Sequence, residues 1–229
     1  NRWGLFDLVE ESLQRMRAIV EPVAAREPVA RGWMHQAHLA RSYEDPWVGL
    51  QHAEAARASF REANHRQGMQ LTQLMVGMNL WFLGALEQAE HELRGVLEGK
   101  DAYDTSTPLH LFCFAGVLAD RGSLEEAYEV TIRMSALWRA QGLGVYEAPG
   151  RRILADVLCR RGEYATAERE ARGALEFLQV TPLEQMAAMA TLAAALLGQG
   201  RAAEALVVAT DAMKQYEALG TIGYRGGYA

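Results

Sequence analysis

The stretch Gly122-Ser-Leu-Glu-Glu-Ala127 decides the fold, because its pattern of a glycine followed five residues later by an alanine recurs along the chain. The recurrence has a nearly constant period, since the intervals between successive glycines are 38, 40 and 38 positions. Self-similarity at such a period is the signature of a repeat architecture. The other three copies are Gly84-Ala-Leu-Glu-Gln-Ala89, Gly162-Glu-Tyr-Ala-Thr-Ala167 and Gly200-Arg-Ala-Ala-Glu-Ala205.

Apolar residues on both sides of each glycine recur at steps of three and four, as they do on one face of an α-helix. A glycine between two helices supplies the positive φ that a tight turn needs, and a small alanine lets two helix backbones pass closely. The pattern therefore predicts a pair of helices at each glycine. Around Gly84 the apolar positions are Leu71, Leu74, Met75, Met78 and Trp81 before the turn, and Leu86, Ala89, Leu93, Val96 and Leu97 after it.

Signals for helix starts stand where this interpretation needs them. Asp45-Pro46 and Thr107-Pro108 each pair an N-cap residue with proline at the first helical position. Ser123-Leu-Glu-Glu126 and Thr181-Pro-Leu-Glu184 have the pattern of a capping box. No segment shows sustained alternation of apolar and polar residues bounded by hairpin turns, so we expect an all-α chain without a sheet.

The repeat register extends over the whole chain. Steps of 40 positions back from Gly84 reach Glu44 and then Gly4, so we expect helix pairs turning near Glu44, Gly84, Gly122, Gly162 and Gly200. Half repeats at 1–22 and 219–229 complete a single repeat domain over 1–229. We interpret the chain as an excerpt of a longer solenoid, whose uncapped end faces are apolar and favour self-association. A frayed tail over 224–229 is the alternative at the carboxyl end.

Composition narrows the classes of function. With 23 Lys and Arg against 29 Asp and Glu, the chain has a formal net charge of −6 and is a poor candidate for binding nucleic acid. The longest nearly continuous apolar stretch, 111–119, has about half the length of a membrane-spanning helix, so no membrane association is expected. Cys113 and Cys159 form neither a CxxC motif nor a disulfide framework, which favours a reducing, cytoplasmic location.

The repeat resembles the tetratricopeptide repeat (TPR), a helix–turn–helix unit of about 34 residues. The resemblance covers essentially the whole chain and implies a right-handed superhelix of antiparallel helix pairs, here about five full pairs with partial repeats at both ends. In the unit around Gly122, the family positions fall on Leu111, Phe114, Ala115, Leu118, Gly122 and Ala127.

The longer period of 38 to 40 positions and the missing closing proline depart from the family pattern. Such long units resemble the helical arrays of large bacterial signalling proteins, namely ATPase-coupled transcription activators of the maltose-regulator type and serine/threonine kinases that carry ATPase and repeat regions. In such proteins the array is a regulatory sensor or docking arm. This chain has no GxxxxGK[ST], HRD or DFG motif, so the resemblance implies that any catalysis lies outside it.

The resemblance also implies where a partner binds, because the first helices of TPR pairs line a concave groove. The groove so predicted has an apolar, aromatic floor flanked by arginines, which suits an amphipathic helix or an extended segment with acidic ends. The alternative is that the apolar residues are buried as core. The residues carried over are Arg31, Met34, His38, Arg41, Leu71, Leu74, Met78, Trp81, Phe82, Leu109, Phe112, Arg152, Asp156 and Arg160.

No catalytic, cofactor or metal site is predicted. His35 and His38 could lie on one side of a helix, as a metal site would require. Because no third ligand lies nearby in the sequence, we interpret them as exposed or hydrogen-bonded histidines. Gly142-Leu-Gly144 follows a predicted helix and not a strand, which argues against a dinucleotide site. The cysteines have no adjacent base and read as inert thiols.

The sequence thus favours a non-catalytic module that binds a protein or peptide segment and regulates or scaffolds a larger protein. A small-molecule effector-sensing domain of a transcriptional or kinase regulator is the alternative, and it would need a closed pocket.

Overall fold

Helices make up the described part of the chain. The computed structural model describes Arg15 and residues 45–98, 107–140, 142, 147–177 and 182–219, and within these ranges it contains helices and turns and no β-strand, as predicted. The helices are α1 (Pro46–Glu62), α2 (Arg66–Phe82), α3 (Leu86–Glu98), α4 (Thr107–Asp120), α5 (Leu124–Ala140), α6 (Glu147–Arg160), α7 (Tyr164–Leu175), α8 (Pro182–Gly198) and α9 (Ala202–Leu219).

Two compact units divide the chain, Asn1–Glu92 and Leu93–Ala229, which we call unit 1 and unit 2. The extent of one repeat domain over 1–229 stays a prediction. The turn near Glu44 and the half repeats at 1–22 and 219–229 lie outside the described residues, apart from Arg15 and Leu219.

In unit 1, helices α1 and α2 form a hairpin whose helix starts are capped by side chains. Asp45 Oδ1 accepts a hydrogen bond of 2.7 Å from the Trp47 N–H, and Pro46 occupies the first turn, which confirms the predicted start. Asn64 makes the turn between the helices in the left-handed region, with φ of 52°. His65 Nδ1 then caps α2 by accepting a hydrogen bond of 2.9 Å from the Gly68 N–H. The sequence interpretation missed this turn because no glycine marks it.

The four repeated glycines occupy equivalent places, as the register predicts. Gly84, Gly122, Gly162 and Gly200 have φ of 75°, 83°, 81° and 77°. Each glycine N–H donates to the carbonyl three residues back, and the next N–H donates to the carbonyl five residues back, at 2.9–3.0 Å in every case. This is the Schellman motif, which ends a helix and satisfies its last carbonyls. Each glycine therefore ends one helix and reverses the chain into the next.

The alanines five residues after the glycines are the contact points of the hairpins. Ala89, Ala127 and Ala167 are 0% exposed and Ala205 is 6% exposed. In unit 2, α4 packs on α5, α6 on α7 and α8 on α9, while α6 also contacts α4, α5 and α8. Successive first helices (α4, α6, α8) therefore lie side by side, and each second helix except α9 also packs against the first helix that follows it.

Glycines elsewhere receive large side chains from a neighbouring helix. A Cβ on Gly68 of α2 would lie 2.3 Å from the Phe60 ring of α1, and one on Gly150 of α6 would lie 2.9 Å from the Trp138 ring of α5. A Cβ on Gly198 of α8 would lie 2.4 Å from the Tyr164 ring of α7. Helix pairs thus interlock where an aromatic ring occupies the space that a side chain would need.

Ion pairs join neighbouring hairpins and were not visible in the sequence, because their partners are separated by 32 to 40 positions. Apart from the buried Arg152, these pairs are at least partly exposed and contribute little each, but they are specific for the register in which the hairpins stack. In unit 1 the pair is Arg57–Glu92 (2.9 Å), and in unit 2 the pairs are Arg94–Glu126 (2.9 Å), Arg160–Asp120 (2.7 Å), Arg161–Glu125 (3.0 Å), Arg152–Glu184 (2.7 Å) and Arg201–Glu168 (2.7 Å).

Glu168 accepts hydrogen bonds from three side chains. It accepts hydrogen bonds from Gln199 Nε2 (2.8 Å) and Arg201 Nη1 (2.7 Å) of the following hairpin, and from Arg172 Nε (2.9 Å) on its own helix. The hydrogen bond from Gln199, followed by the hydrogen bond from Arg172 and the charges of Arg201 and Arg172, lowers the pKa of Glu168 from its ordinary value. The folded state therefore favours the ionised carboxylate.

We predict that Gly68→Ala destabilises unit 1 by about 1–3 kcal/mol, because the added methyl collides with the buried Phe60 ring. Chemical denaturation measures this loss. Gly95→Ala, at an exposed helical glycine of α3, is the control and should be neutral or stabilise by up to about 1 kcal/mol. Equal stability of Gly68→Ala and the natural chain would contradict the close contact.

We predict that Glu168→Gln lowers the melting temperature at neutral pH and that the difference from the natural chain narrows in acid. Because the pKa is lowered in the folded state, the stability it contributes is present above the pKa of an unfolded glutamate, about 4.3, and is lost as the pH falls through the lower folded value. Circular dichroism melts over a pH series test this. Glu129→Gln, at an exposed glutamate of α5, is the matched control and should melt at the same temperature as the natural chain at neutral pH.

Candidate functional site

The first helices of unit 2 place equivalent residues side by side. The repeat periods of 40 and 38 positions put Phe112 of α4, Arg152 of α6 and Ala190 of α8 at one position, and Gly116, Asp156 and Ala194 at the position four residues later. We call the surface formed by the outward residues of these three helices the first-helix face. Its members are Leu109, Phe112, Asp120, Asp156, Arg160, Ala190 and Ala194.

An apolar end of the first-helix face is formed by α4. Leu109 is 41% exposed, and Phe112 is half-buried with its ring centroid 6.2 Å from that of Trp138. Leu111 on the other side of α4 is buried against Trp138 and Met134 of α5, which holds the helix in this rotation. The face thus presents an exposed leucine and, on the same helix, a half-buried aromatic ring that packs against Trp138.

Arg152 lies behind this end and not in solvent. It is 6% exposed, its guanidinium lies 5.7 Å from the Phe112 ring centroid, and its Nε donates a hydrogen bond of 2.7 Å to Glu184 Oε2 of α8. A buried guanidinium with a carboxylate partner and an aromatic ring joins α4, α6 and α8. The partner-anchoring role carried over from the family stays a prediction, but the side chain already binds a carboxylate of its own chain.

A charged triad follows along the face. Arg160 donates to Asp120 Oδ1 of α4 at 2.7 Å, to Asp156 Oδ2 at 3.0 Å and to the Ala119 carbonyl at 3.2 Å. Burial alone lowers the pKa of Arg160, but the charges of Asp156 and Asp120 more than offset it, so the net pKa is raised. Two carboxylates to one guanidinium leave the triad with a formal charge of −1.

The two cysteines lie on successive first helices of unit 2. Cys113 is buried in α4, and Cys159 is half-buried beside the triad. Burial, together with the charge of Asp156, raises the pKa of the Cys159 thiol, so it stays protonated at neutral pH. The described residues contain no group of three or more His, Cys, Asp or Glu placed to hold a metal ion.

In unit 1, helix α2 carries the remaining predicted groove residues that can be placed. Leu74 and Met78 are buried, so these two side chains belong to the core of unit 1. Leu71, Trp81 and Phe82 are half-buried, and the Trp81 and Phe82 rings stack with centroids 5.2 Å apart. Of the predicted groove residues on α2, these three are therefore the ones that a partner could contact. Arg31, Met34, His38 and Arg41, together with His35, lie outside the described residues.

Two cavities in the described part of unit 2 are lined by residues other than those of the first-helix face. One of about 250 Å³ lies between α5, α6 and α7, lined by Trp138, Ile132 and Leu154 together with Arg139, Arg151, Glu147, Glu170 and Ser135. Another of about 420 Å³ runs along the charged side of α7, lined by Arg151, Ala165, Glu168, Arg169, Arg172, Gly173 and Glu176. Among the described helices, none combines the length and apolar character needed to cross a membrane.

Solved structures that are similar to this chain are helical repeat proteins. One, a variant of a kinesin light chain-like protein of Podosopora anserina with nearly identical TPR-like repeats, is 15% identical, with a TM-score of 0.60 over 81% of this chain and 93% of that chain. A second structure of such a Podosopora anserina protein is 15% identical, with a TM-score of 0.58 over 83% and 96%. MamA protein is 17% identical, with a TM-score of 0.51 over 82% and 92%.

No protein-family model and no curated protein matches the chain. At these levels of identity the structural likeness shows the fold alone. The chain is an all-α array of TPR-like helical repeats, as its glycine register predicts.

Proposed function

We propose that the chain is a non-catalytic protein-interaction module that binds a segment of a partner protein on the first-helix face of unit 2. The observation that carries the proposal is the side-by-side stacking of α4, α6 and α8, which presents Leu109 and Phe112 near the start of α4 and the Asp120–Arg160–Asp156 triad towards its end on one face. Stacked repeats create extended surfaces of this kind, and their use for binding is the common role of such arrays.

The chemistry of the face indicates what a partner segment would present. An apolar side chain would pack on Leu109 and Phe112, and Ala190 and Ala194 leave room for a backbone to approach α8. The negative triad, near the other end of α4, favours a basic residue further along the segment. This differs from the acidic segment expected from the sequence, because the guanidiniums of Arg152 and Arg160 already bind carboxylates of the chain.

The proposal extends to unit 1 and to the larger protein that would contain the module. The half-buried Leu71, Trp81 and Phe82 of α2 are a further candidate contact surface in unit 1. Long repeat units support a role as the regulatory or docking arm of a large bacterial signalling protein in the cytoplasm, with any catalytic domain elsewhere in that protein.

We predict that Leu109→Glu weakens binding of a partner segment roughly tenfold or more, since it places a charge at the centre of the apolar end. The probe is a set of peptides selected from a random library on the natural chain, with affinity measured by fluorescence anisotropy. Because residue 109 lies in the first turn of α4, an acidic side chain there is compatible with the helix dipole and should leave the fold intact.

Ile132→Glu is the matched control. Ile132 is also 41% exposed but lies on the second helix α5. The selected peptides should bind this variant as tightly as the natural chain, and both variants should keep the circular dichroism spectrum. Peptides that tolerate Leu109→Glu and lose affinity for Ile132→Glu would move the binding surface to the second helices and refute the proposal.

A small-molecule effector domain is the second candidate, favoured by the 250 Å³ cavity between α5, α6 and α7. The cavity combines the Trp138 ring with Arg151, whose Nε donates a hydrogen bond of 3.0 Å to Glu170 Oε2. Such a mixture of apolar wall and convergent polar groups is typical of small-ligand sites, although the volume is below their usual range of about 300–1,000 Å³.

If the cavity senses an effector, we predict that one compound of a metabolite panel raises the melting temperature by a few degrees and that Arg151→Met removes the effect. Differential scanning fluorimetry measures both. Arg169→Met, at an exposed arginine outside this cavity, is the control and should keep the shift. A panel without any shift, or a shift that survives Arg151→Met, would count against this candidate.

A further inference from the structure

One side of α9 carries an uncovered apolar stripe. Its residues Ala202, Leu206, Ala209 and Met213 are spaced by four, three and four positions and so share one side of the helix. Leu206 is 68% exposed and Met213 is 56% exposed, and both alanines are exposed as well. We call these four residues the α9 stripe.

The equivalent side of α7 is covered by the hairpin that follows it. Residues 38 positions earlier are Tyr164, Glu168, Ala171 and Leu175. The Tyr164 ring lies over Gly198 of α8, and Glu168 binds Gln199 and Arg201. Ala171 and Leu175 pack in a cluster with Leu192 of α8. Every residue equivalent to the stripe therefore contacts the next hairpin.

Helix α5 shows the same arrangement one repeat earlier. Tyr128, equivalent to Glu168, packs against a cluster that contains Leu158 of α6 and Ala195 of α8. The Arg161 guanidinium lies 4.6 Å from the Tyr128 ring centroid. This side of a second helix is thus a helix-packing surface in two successive hairpins, and the α9 stripe has the position of such a surface.

The stripe differs from its equivalents in one respect that bears on its partner. The turn that follows α6 and the turn that follows α8 bring an arginine, Arg161 or Arg201, onto the ring of Tyr128 or the carboxylate of Glu168. Leu206 stands at this position in α9 and offers neither a negative charge nor an aromatic face. A further hairpin of the same type, with its arginine, would lose that contact, so the stripe favours an uncharged apolar surface.

The stripe itself is such a surface, and it is complementary to a second copy. If two α9 helices meet antiparallel about a twofold axis, Ala202 faces Met213 of the other copy, and Leu206 faces its Ala209. In both pairs a large side chain then packs against an alanine of the other copy. Of the charged residues of α9, Glu204 and Asp211 lie on the opposite side of the helix and Lys214 lies at its flank. Glu217 follows Met213 by one turn and lies outside the paired levels, so the contact buries no charge at its centre.

We propose that the α9 stripe is a homodimer interface in which two copies of this chain pack antiparallel through α9. Symmetric dimers use one self-complementary patch on both subunits, as the pairing of large and small residues here provides. The interface is separate from the first-helix face and does not rest on the proposed partner binding.

Sedimentation equilibrium of the full chain over a series of concentrations tests the proposal. A reversible monomer–dimer equilibrium is expected, and Leu206→Glu and Met213→Glu should each raise the dimer dissociation constant roughly tenfold or more. Val207→Glu is the matched control, since Val207 is 63% exposed on the same helix but points away from the stripe. It should leave the dissociation constant and the helicity unchanged.

The antiparallel pairing of the two α9 helices is tested by disulfide formation between cysteine variants. In a Cys159→Ser background, a mixture of Leu206→Cys and Ala209→Cys chains should form a mixed disulfide faster than Val207→Cys chains link to one another. A monomer at every concentration, assembly that continues beyond the dimer, or equal linking at position 207 would each overturn the proposal. Leu109→Glu should keep the dimer, so failure of this interface and failure of peptide binding can be told apart.

Discussion

The structure depends on a glycine that ends a helix in the left-handed region. At Gly84, Gly122, Gly162 and Gly200 the same two backbone hydrogen bonds close the helix and send the chain back beside it. Apart from the glycine itself and its two chain neighbours, no described residue has an atom within 4 Å of the Cβ that another residue would place there, so backbone conformation and not lack of space selects glycine. A residue that resists positive φ would strain the reversal from which each hairpin starts.

Close approach of the helices is the consequence of that reversal. The buried alanine five residues later sets the distance between the two helices of a hairpin, and glycines such as Gly150 and Gly198 admit aromatic rings from the preceding second helix. A single hairpin cannot bury all of its own apolar residues, because some of them pack between its two helices and others pack against the neighbouring hairpins. Stability is therefore shared between hairpins. The ion pairs of Arg94, Arg161 and Arg201 likewise connect one hairpin to the next.

The sequence predicted the periodic features and missed those that depend on proximity in space. The glycine turns, the Asp45–Pro46 helix start and the buried alanines follow from local chemistry at a fixed spacing. The Asn64 turn was missed because asparagine adopts positive φ less often than glycine and no repeat marks it. The family groove positions gave Leu74 and Leu109 equal weight, yet Leu74 is buried and Leu109 is exposed. Helical periodicity identifies a face of a helix, but only the neighbouring helices determine whether that face is covered.

The arginines show the same limit for the candidate site. Arg152 and Arg160 were expected to hold a partner carboxylate, which is sound chemistry for a guanidinium at an open position. Their carboxylate partners, Glu184 and Asp120, are distant in the sequence and become neighbours only when α4, α6 and α8 stack. When these helices stack, the guanidiniums of Arg152 and Arg160 pair with carboxylates of the chain, and the Asp120–Arg160–Asp156 triad keeps one more carboxylate than guanidinium. On α9, by contrast, an apolar stripe stays exposed. One repeat pattern consequently yields two surfaces of different chemistry, a mixed apolar and acidic face on the first helices and an uncharged stripe on α9, and these suit different partners.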